Sequence, residues 1–295
     1  MISMPLISVI IPILHTPTID QTISAVERQS LDQNRYEVIV VGMDRYNQVQ
    51  ENKTVRFDRS SQPLSPARAR NRGAAQARGD ILVFTDADCI AAPSWLSIFA
   101  QDFADSAVTV VGGGVEVSAS SYWRLADNIS MFYDHLAILP KGTRLLLPSL
   151  NLAVRRTVFE QVSGFDEFYP RPSGEDADLS IRLRRKGHTL HFDPRAVVVH
   201  HPPRDGLLDL LRHGYYQGRY STKMDERYQA MEGLPFPLNF KVILLLGAPF
   251  VAGGAAARIF IRKSLWRYWP TLPAVYLSKL AWCAGAVNHA RRRGR

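Results

Sequence analysis

Cysteine is scarce: the 295-residue chain has two, Cys89 and Cys283, far apart and with no CxxC spacing. That argues against a disulfide framework or a thiolate zinc site and fits a reducing, cytosolic setting. Acidic residues stop altogether at Glu232. Ten basic residues follow, so residues 233–295 carry +10 and the rest of the chain −1 of the net +9. Long uncharged apolar runs are also missing. A membrane-crossing helix needs about 20 apolar residues; Val242–Ile261 reaches that length only with Arg258 included, and Leu265–Val287 contains Arg267 and Lys279. Met1–Leu6 has no basic residue and Ile7–Leu14 is broken by Pro12, so no secretory leader is expected. Neither a repeat nor a low-complexity tract is present. With 46% hydrophobic and 21% charged residues, disorder is excluded.

What remains is a folded α/β pattern followed by a basic, apolar tail. Short β-branched runs at Ile7–Ile11, Tyr36–Val41, Ile81–Thr85, Val108–Val111 and Ala196–Val199 read as buried strands. Helical spacing is expected over Ile19–Gln29, Pro66–Arg78, Ser94–Phe103, Gly174–Lys186 and Leu207–Arg219, while Leu146–Val154 reads as extended. Strands alternating with helices predict a mostly parallel, Rossmann-like sheet with helices on both faces, whose ligands lie at the carboxyl ends of the strands. Gly233, Pro235 and Pro237 mark a boundary, giving a catalytic domain at 1–232 and a helical tail at 233–295.

The residues after the strands are where chemistry is expected. Asp86 and Asp88 flank Ala87 directly after Ile81–Thr85, and two carboxylates there can share Mg²⁺ or Mn²⁺. Alone, Asp88 could equally cap a turn. Glu175 and Asp176 open a helix after Gly174; they either complement its dipole or supply a general base. Of the arginines at 68, 70, 72 and 78, one such as Arg70 could grip a donor phosphate, the others being solvated. Asp44, after the second strand, could meet a nucleoside. His200, after the last, would as a lone histidine be structural.

The ordered segments Ser8-Val-Ile-Ile-Pro12, Tyr36-Glu-Val-Ile-Val-Val41, Ser65-Pro-Ala-Arg-Ala-Arg-Asn-Arg-Gly73 and Gly79-Asp-Ile-Leu-Val-Phe-Thr-Asp-Ala-Asp88 resemble glycosyltransferase family 2, the inverting enzymes of GT-A fold. Pro93-Ser-Trp-Leu96, Asn151-Leu-Ala-Val-Arg-Arg156, Gly164-Phe-Asp166, Gly174-Glu-Asp-Ala-Asp-Leu179 and Pro194-Arg-Ala-Val-Val-Val-His200 continue the resemblance, which spans roughly residues 7–220. It implies that Asp86 and Asp88 meet the metal and donor diphosphate, with His200 completing the metal site. It implies Asp176 as catalytic base with Glu175 beside it, Pro12 lining the nucleotide pocket, and Asn151 and Arg155 flooring the sugar and acceptor site. A UDP-sugar is favoured as the family's commonest donor. Val41-Gly-Met-Asp44 departs from the paired acids usual there, and Gln217-Gly-Arg-Tyr220 departs from the Gln-x-x-Arg-Trp signature of processive members. One sugar per acceptor is therefore expected.

The tail's charge calls for a polyanion, and its tryptophans and apolar runs favour an anionic membrane over nucleic acid. Spanning would export cations, so a monotopic position at the cytoplasmic face of the cell membrane is expected, near a lipid-linked or glycan acceptor. Two other readings fit the segments less well. A nucleotidyltransferase would carry a Gly- and Lys/Arg-rich loop where this chain has Pro12-Ile-Leu-His-Thr, and a non-catalytic membrane-docked subunit would not need Asp86, Asp88 and Asp176 intact.

Overall fold

In a computed structural model of the chain, residues 7–117, 121–169, 171–228 and 241–291 are described. Strands run at β1 (Ile7–Leu14), β2 (Tyr36–Met43), β3 (Val55–Arg59), β4 (Ile81–Thr85), β5 (Cys89–Ala91), β6 (Val110–Val117), β7 (Gly142–Thr143), β8 (Asn151–Arg155) and β9 (Leu190–His200). Helices are α1 (Ile19–Glu27), α2 (Pro66–Ala75), α3 (Trp95–Asp102), α4 (Tyr122–Phe132), α5 (Arg156–Gln161), α6 (Glu175–Arg185), α7 (Leu207–Tyr228), α8 (Lys241–Phe260) and α9 (Leu272–Arg291), with a 3-10 turn at Lys263–Thr271 before the last.

Two compact units result: Met1–Glu116 with Asp134–His201, and Val117–Tyr133 with Pro202–Arg295. The division falls at residue 201, not 232. Helix α7 belongs with the tail helices because it packs on α9 through glycines: a Cβ on Gly214 would sit 2.5 Å from the Ser278 carbonyl oxygen, and one on Gly285 1.9 Å from that of Tyr215.

The first unit holds one sheet in the order β3-β2-β1-β4-β8-β6-β9-β5, with β7 on β9. Strands β3, β2, β1 and β4 are parallel, whereas β8 is antiparallel to both β4 and β6. The sheet is thus mixed rather than mostly parallel. Ile7, Val9–Ile11, Val38–Val41 and Ile81–Phe84 have no exposure, as strands covered on both faces require. Strand β6 does not stop at Val111 but runs on through Gly112–Gly114, where the Leu147 and Asn151 side chains lie so close that no Cβ fits at Gly112 or Gly113.

The second unit is helical. At its centre Asp127 is 1% exposed, accepts from Arg204 Nε at 2.8 Å and lies 2.6 Å from His213 Nδ1. Burial alone would raise its pKa, but His213 and Arg204 hold it at about 2. Lys279 donates to the Ser130 carbonyl at 2.8 Å, and burial brings its pKa down to about 8. Among the described residues no helix is long and apolar enough to cross a membrane.

Candidate functional site

Strand β4 ends at Thr85 and delivers Asp86 and Asp88 to the carboxyl edge of the parallel half. The turn between them is held through its backbone. Cys89 N–H donates to Asp86 O at 3.2 Å, and Thr22 on α1 donates its hydroxyl to Ala87 O at 2.9 Å. Strand β5 then pairs with β9 so that Cys89 faces His200, and His201 N–H donates to Asp88 O at 2.9 Å. Two segments more than 100 residues apart thereby bring His200 Nε2 to 3.7 Å from an Asp88 oxygen. Asp88, Cys89 and His200 offer ligand atoms within 4.8 Å of one another.

Asp86 looks elsewhere. Its carboxylate accepts from Arg70 Nη2 at 2.6 Å, and Arg70 Nη1 donates to Glu175 Oε1 at 3.0 Å. Arg70 comes from α2, is 2% exposed, and lies 5.4 Å from the Phe165 ring. Ser65 caps that helix and Pro66 starts it, which fixes where the arginine points. Burial works against its charge, but Asp86, Glu175 and Asp176 together raise its pKa.

Glu175 and Asp176 open α6. Gly174 precedes them in the left-handed region at φ +96°, and a Cβ there would meet the Tyr169 ring at 2.9 Å, so glycine is required twice over. Asp176 is partly buried and accepts from the backbone N–H groups of Ser149 at 3.4 Å and Ala177 at 2.8 Å. Burial raises its pKa. Glu175 is 3% exposed, and burial with the neighbouring Asp176 pushes its pKa up to about 7. Its Oε2 has no hydrogen-bond partner, which adds to the cost of ionisation. Three carboxyl groups around one arginine leave an excess of negative charge. Such a centre holds a proton on one of them or attracts a cation.

Other predicted site residues are placed differently. Asn151 pairs with Thr85 near the same edge, but its amide is consumed: it donates to Gly114 O and Ala196 O and accepts from Trp95 Nε1. It locks strands together instead of flooring a sugar site. Arg155 pairs with Ile81 at the opposite end of β4 and donates to the carbonyls of Phe103, Asp105 and Val108, so it is remote from Asp86. Arg70 is enclosed by Asp86 and Glu175 and presents no fork to a phosphate. Asp44 accepts from the N–H groups of Tyr46, Gln48 and Val49 and shapes its own loop. Pro12 lies in β1 opposite Val41, partly exposed near the carboxyl end. Cys89 was missed; its only sequence signal is that it directly follows Asp88. Burial and then Asp88 push its thiol pKa well up, so it is protonated.

A divalent cation fits part of this donor set. Asp88 and His200 present a carboxylate oxygen and a ring nitrogen toward each other, while Asp86 is committed to Arg70 through one oxygen.

A family model described as Glycosyl transferase family 2 matches residues 8–162. The chain is 32% identical over 160 residues to the pre-mycofactocin glycosyltransferase of Mycobacterium tuberculosis, covering 52% of this chain but only 33% of that one. It is 28% identical over 211 residues to glycosyltransferase AglE of Haloferax volcanii, 68% of each chain being covered. Among solved structures, the mannosyltransferase PcManGT of Pyrobaculum calidifontis, in complex with GDP-Man and Mn²⁺, superposes with a TM-score of 0.61 at 20% identity over 99% of this chain and 89% of that one. GalNAc-T7 with UDP, GalNAc and Mn²⁺ gives 0.56 at 17% identity over 78% and 52% of the two chains. At these identities the structural likeness establishes the GT-A fold.

Proposed function

The chain belongs to glycosyl transferase family 2, and from that premise we propose that it is an inverting, non-processive glycosyltransferase that moves one sugar from a nucleotide-diphosphate donor, a UDP-sugar first among the candidates, to a hydroxyl of a lipid-linked acceptor. We place it at the cytoplasmic face of an anionic membrane, where the +10 of residues 233–295 would hold it. One observation carries the catalytic part: a single buried guanidinium joins Asp86, at the end of β4, to Glu175, beside Asp176 at the start of α6. Donor-side and base-side carboxylates are thereby fixed to one another.

Asp176, its pKa raised by burial, takes the proton of the acceptor hydroxyl. The hydroxyl oxygen bonds to the anomeric carbon as the bond from that carbon to the diphosphate oxygen breaks on the opposite face, inverting the configuration. Asp88 and His200 are the residues that would hold Mn²⁺ or Mg²⁺; the PcManGT complex contains GDP-Man and Mn²⁺, and the GalNAc-T7 complex UDP, GalNAc and Mn²⁺. A cation held there would supply positive charge against the diphosphate leaving group. Arg70 orients Asp86 through their short hydrogen bond, and Glu175, its pKa pushed up to about 7, still holds a proton about half the time at neutrality.

The test is calorimetric binding of UDP and GDP with and without Mn²⁺, paired with transfer assays. Asp176→Asn should bind nucleotide as wild type does and lose about 100-fold or more in transfer, the contribution of a positioned general base. Asp88→Asn should lose the metal-dependent part of nucleotide binding. Full transfer by Asp176→Asn would remove the base assignment, and metal-independent binding by wild type would remove the cation.

A further inference from the structure

Helix α8 leaves an apolar stripe uncovered. Its small residues Ala252 and Ala256 are buried, and Ala248 and Val251 pack toward Cys283, Ala286 and Val287 of α9. Ile259 and Phe260 at its end are buried as well, but Leu246 at 74% and Phe250 at 84% exposure face outward. Ala257 and Ile261 follow at helical spacing on the same face; the Ile261 N–H donates to Ala257 O, so the helical path includes it, and Ile261 is 78% exposed. A helix whose outer face meets only water carries polar residues there. Beyond this stripe Trp266 and Trp269 are each 56% exposed, and Arg258, Lys263 and Arg267 are exposed beside them. No acidic side chain exists anywhere in residues 233–295 to neutralise them.

We infer that the outer face of α8, with Trp266 and Trp269, is the element that enters the lipid: the helix lies in the plane of an anionic bilayer, with Leu246, Phe250 and Ile261 below the headgroups. This deepens the membrane part of the proposed function and rests on it. Charge chooses the occupant, since an apolar stripe beside exposed Arg258, Lys263 and Arg267 matches acyl chains bordered by anionic headgroups. The tryptophans suit the headgroup level. A spanning α8 would carry Arg258, Lys263 and Arg267 to the side opposite Lys241, against the tendency of cations to stay on one side of a membrane, whereas a helix lying in the interface keeps them together.

The experiment is co-sedimentation of the full chain with vesicles of phosphatidylcholine, alone or mixed with phosphatidylglycerol, alongside sedimentation velocity without lipid and nucleotide calorimetry. Wild type should bind the mixed vesicles. Leu246→Gln/Phe250→Gln should bind them about tenfold or more weakly, from the apolar area no longer buried. Arg267→Gln should weaken binding about fivefold. Both variants should keep the wild-type circular dichroism and nucleotide affinity, which separates this inference from the donor site. Undiminished binding by the double variant would overturn the assignment of α8 while leaving the membrane reading intact. No binding by wild type would overturn both. A lipid-free dimer that the double variant dissociates, without vesicle binding, would give the face to a second copy of the chain.

Discussion

At the residue scale the centre of the site is an arginine with too many partners. Arg70 has Asp86 and Glu175 within hydrogen-bond reach and Asp176 close by, and only some of those acids can be charged together. Glu175 yields, its pKa raised to about 7 from 4.5. Between those two values the folded chain binds more protons than the unfolded one, so this residue makes unfolding easier as pH climbs through the window. Asp127, held at about 2, does not titrate there. Wild type should therefore lose on the order of 2–3 kcal/mol between about pH 5 and pH 8 through this group, and Glu175→Gln should flatten the profile. Urea midpoints at both pH values check this; an unchanged slope in the variant would mean that Glu175 is ionised throughout. The sequence singled out Asp86, Asp88 and Asp176 because each follows a strand or opens a helix, and His200 through the family resemblance, and the structure brings Asp88 and His200 within 3.7 Å. It misassigned Arg70, Asn151 and Arg155 because a side chain's partners depend on what lies across the sheet: Trp95 and Gly114 for Asn151, the carbonyls of Phe103, Asp105 and Val108 for Arg155.

At the element scale, strands buried on both faces were legible and short or interrupted ones were not. Ile81–Thr85 is an unbroken apolar run and appears where it was expected. Strands β5 and β7, of three and two residues, have too little pattern to be read and exist only because β9 pairs with them. The eleven residues of β9 were legible only over Ala196–Val199, since Pro194 interrupts the rest. Helices α7 and α9 offer the sharpest test of packing. A Cβ on Gly218 would stand 1.9 Å from the Trp282 carbonyl oxygen. Alanine there would gain about 1 kcal/mol in helix propensity and lose about 1–3 kcal/mol to overpacking, or more, because the obstacle is backbone. Gly218→Ala is accordingly expected to lower the thermal midpoint followed by circular dichroism. A higher midpoint would mean that the helices part without penalty.

At the scale of the whole molecule, the boundary predicted at residue 232 follows a change of composition, whereas the structure divides at 201 because α4 and α7 join the tail helices. Composition marks where a chain becomes basic, not which helices pack together. The charge partition itself, −1 before residue 233 and +10 after it, has a measurable counterpart. Attraction between exposed cations and a charged surface is screened over about 10 Å at 0.1 M salt and about 3 Å at 1 M. Binding to anionic vesicles should thus fall by at least about tenfold when sodium chloride rises from 0.1 to 1 M, while nucleotide binding, which does not depend on the tail's ten cations, should fall by less. Equal losses in both assays would show that the tail contributes to donor binding.

Each unit also conceals its own thiol: Cys89 beside Asp88 in the first and Cys283 on α9 in the second, both 1% exposed. A reagent in solution reaches either sulfur only when the surrounding structure opens. With one cysteine replaced by alanine at a time, the rate at which the other is labelled becomes a clock for the opening of that unit alone. A chain with only two cysteines can therefore report separately, with no cysteine introduced, how often its sheet and its helices come apart.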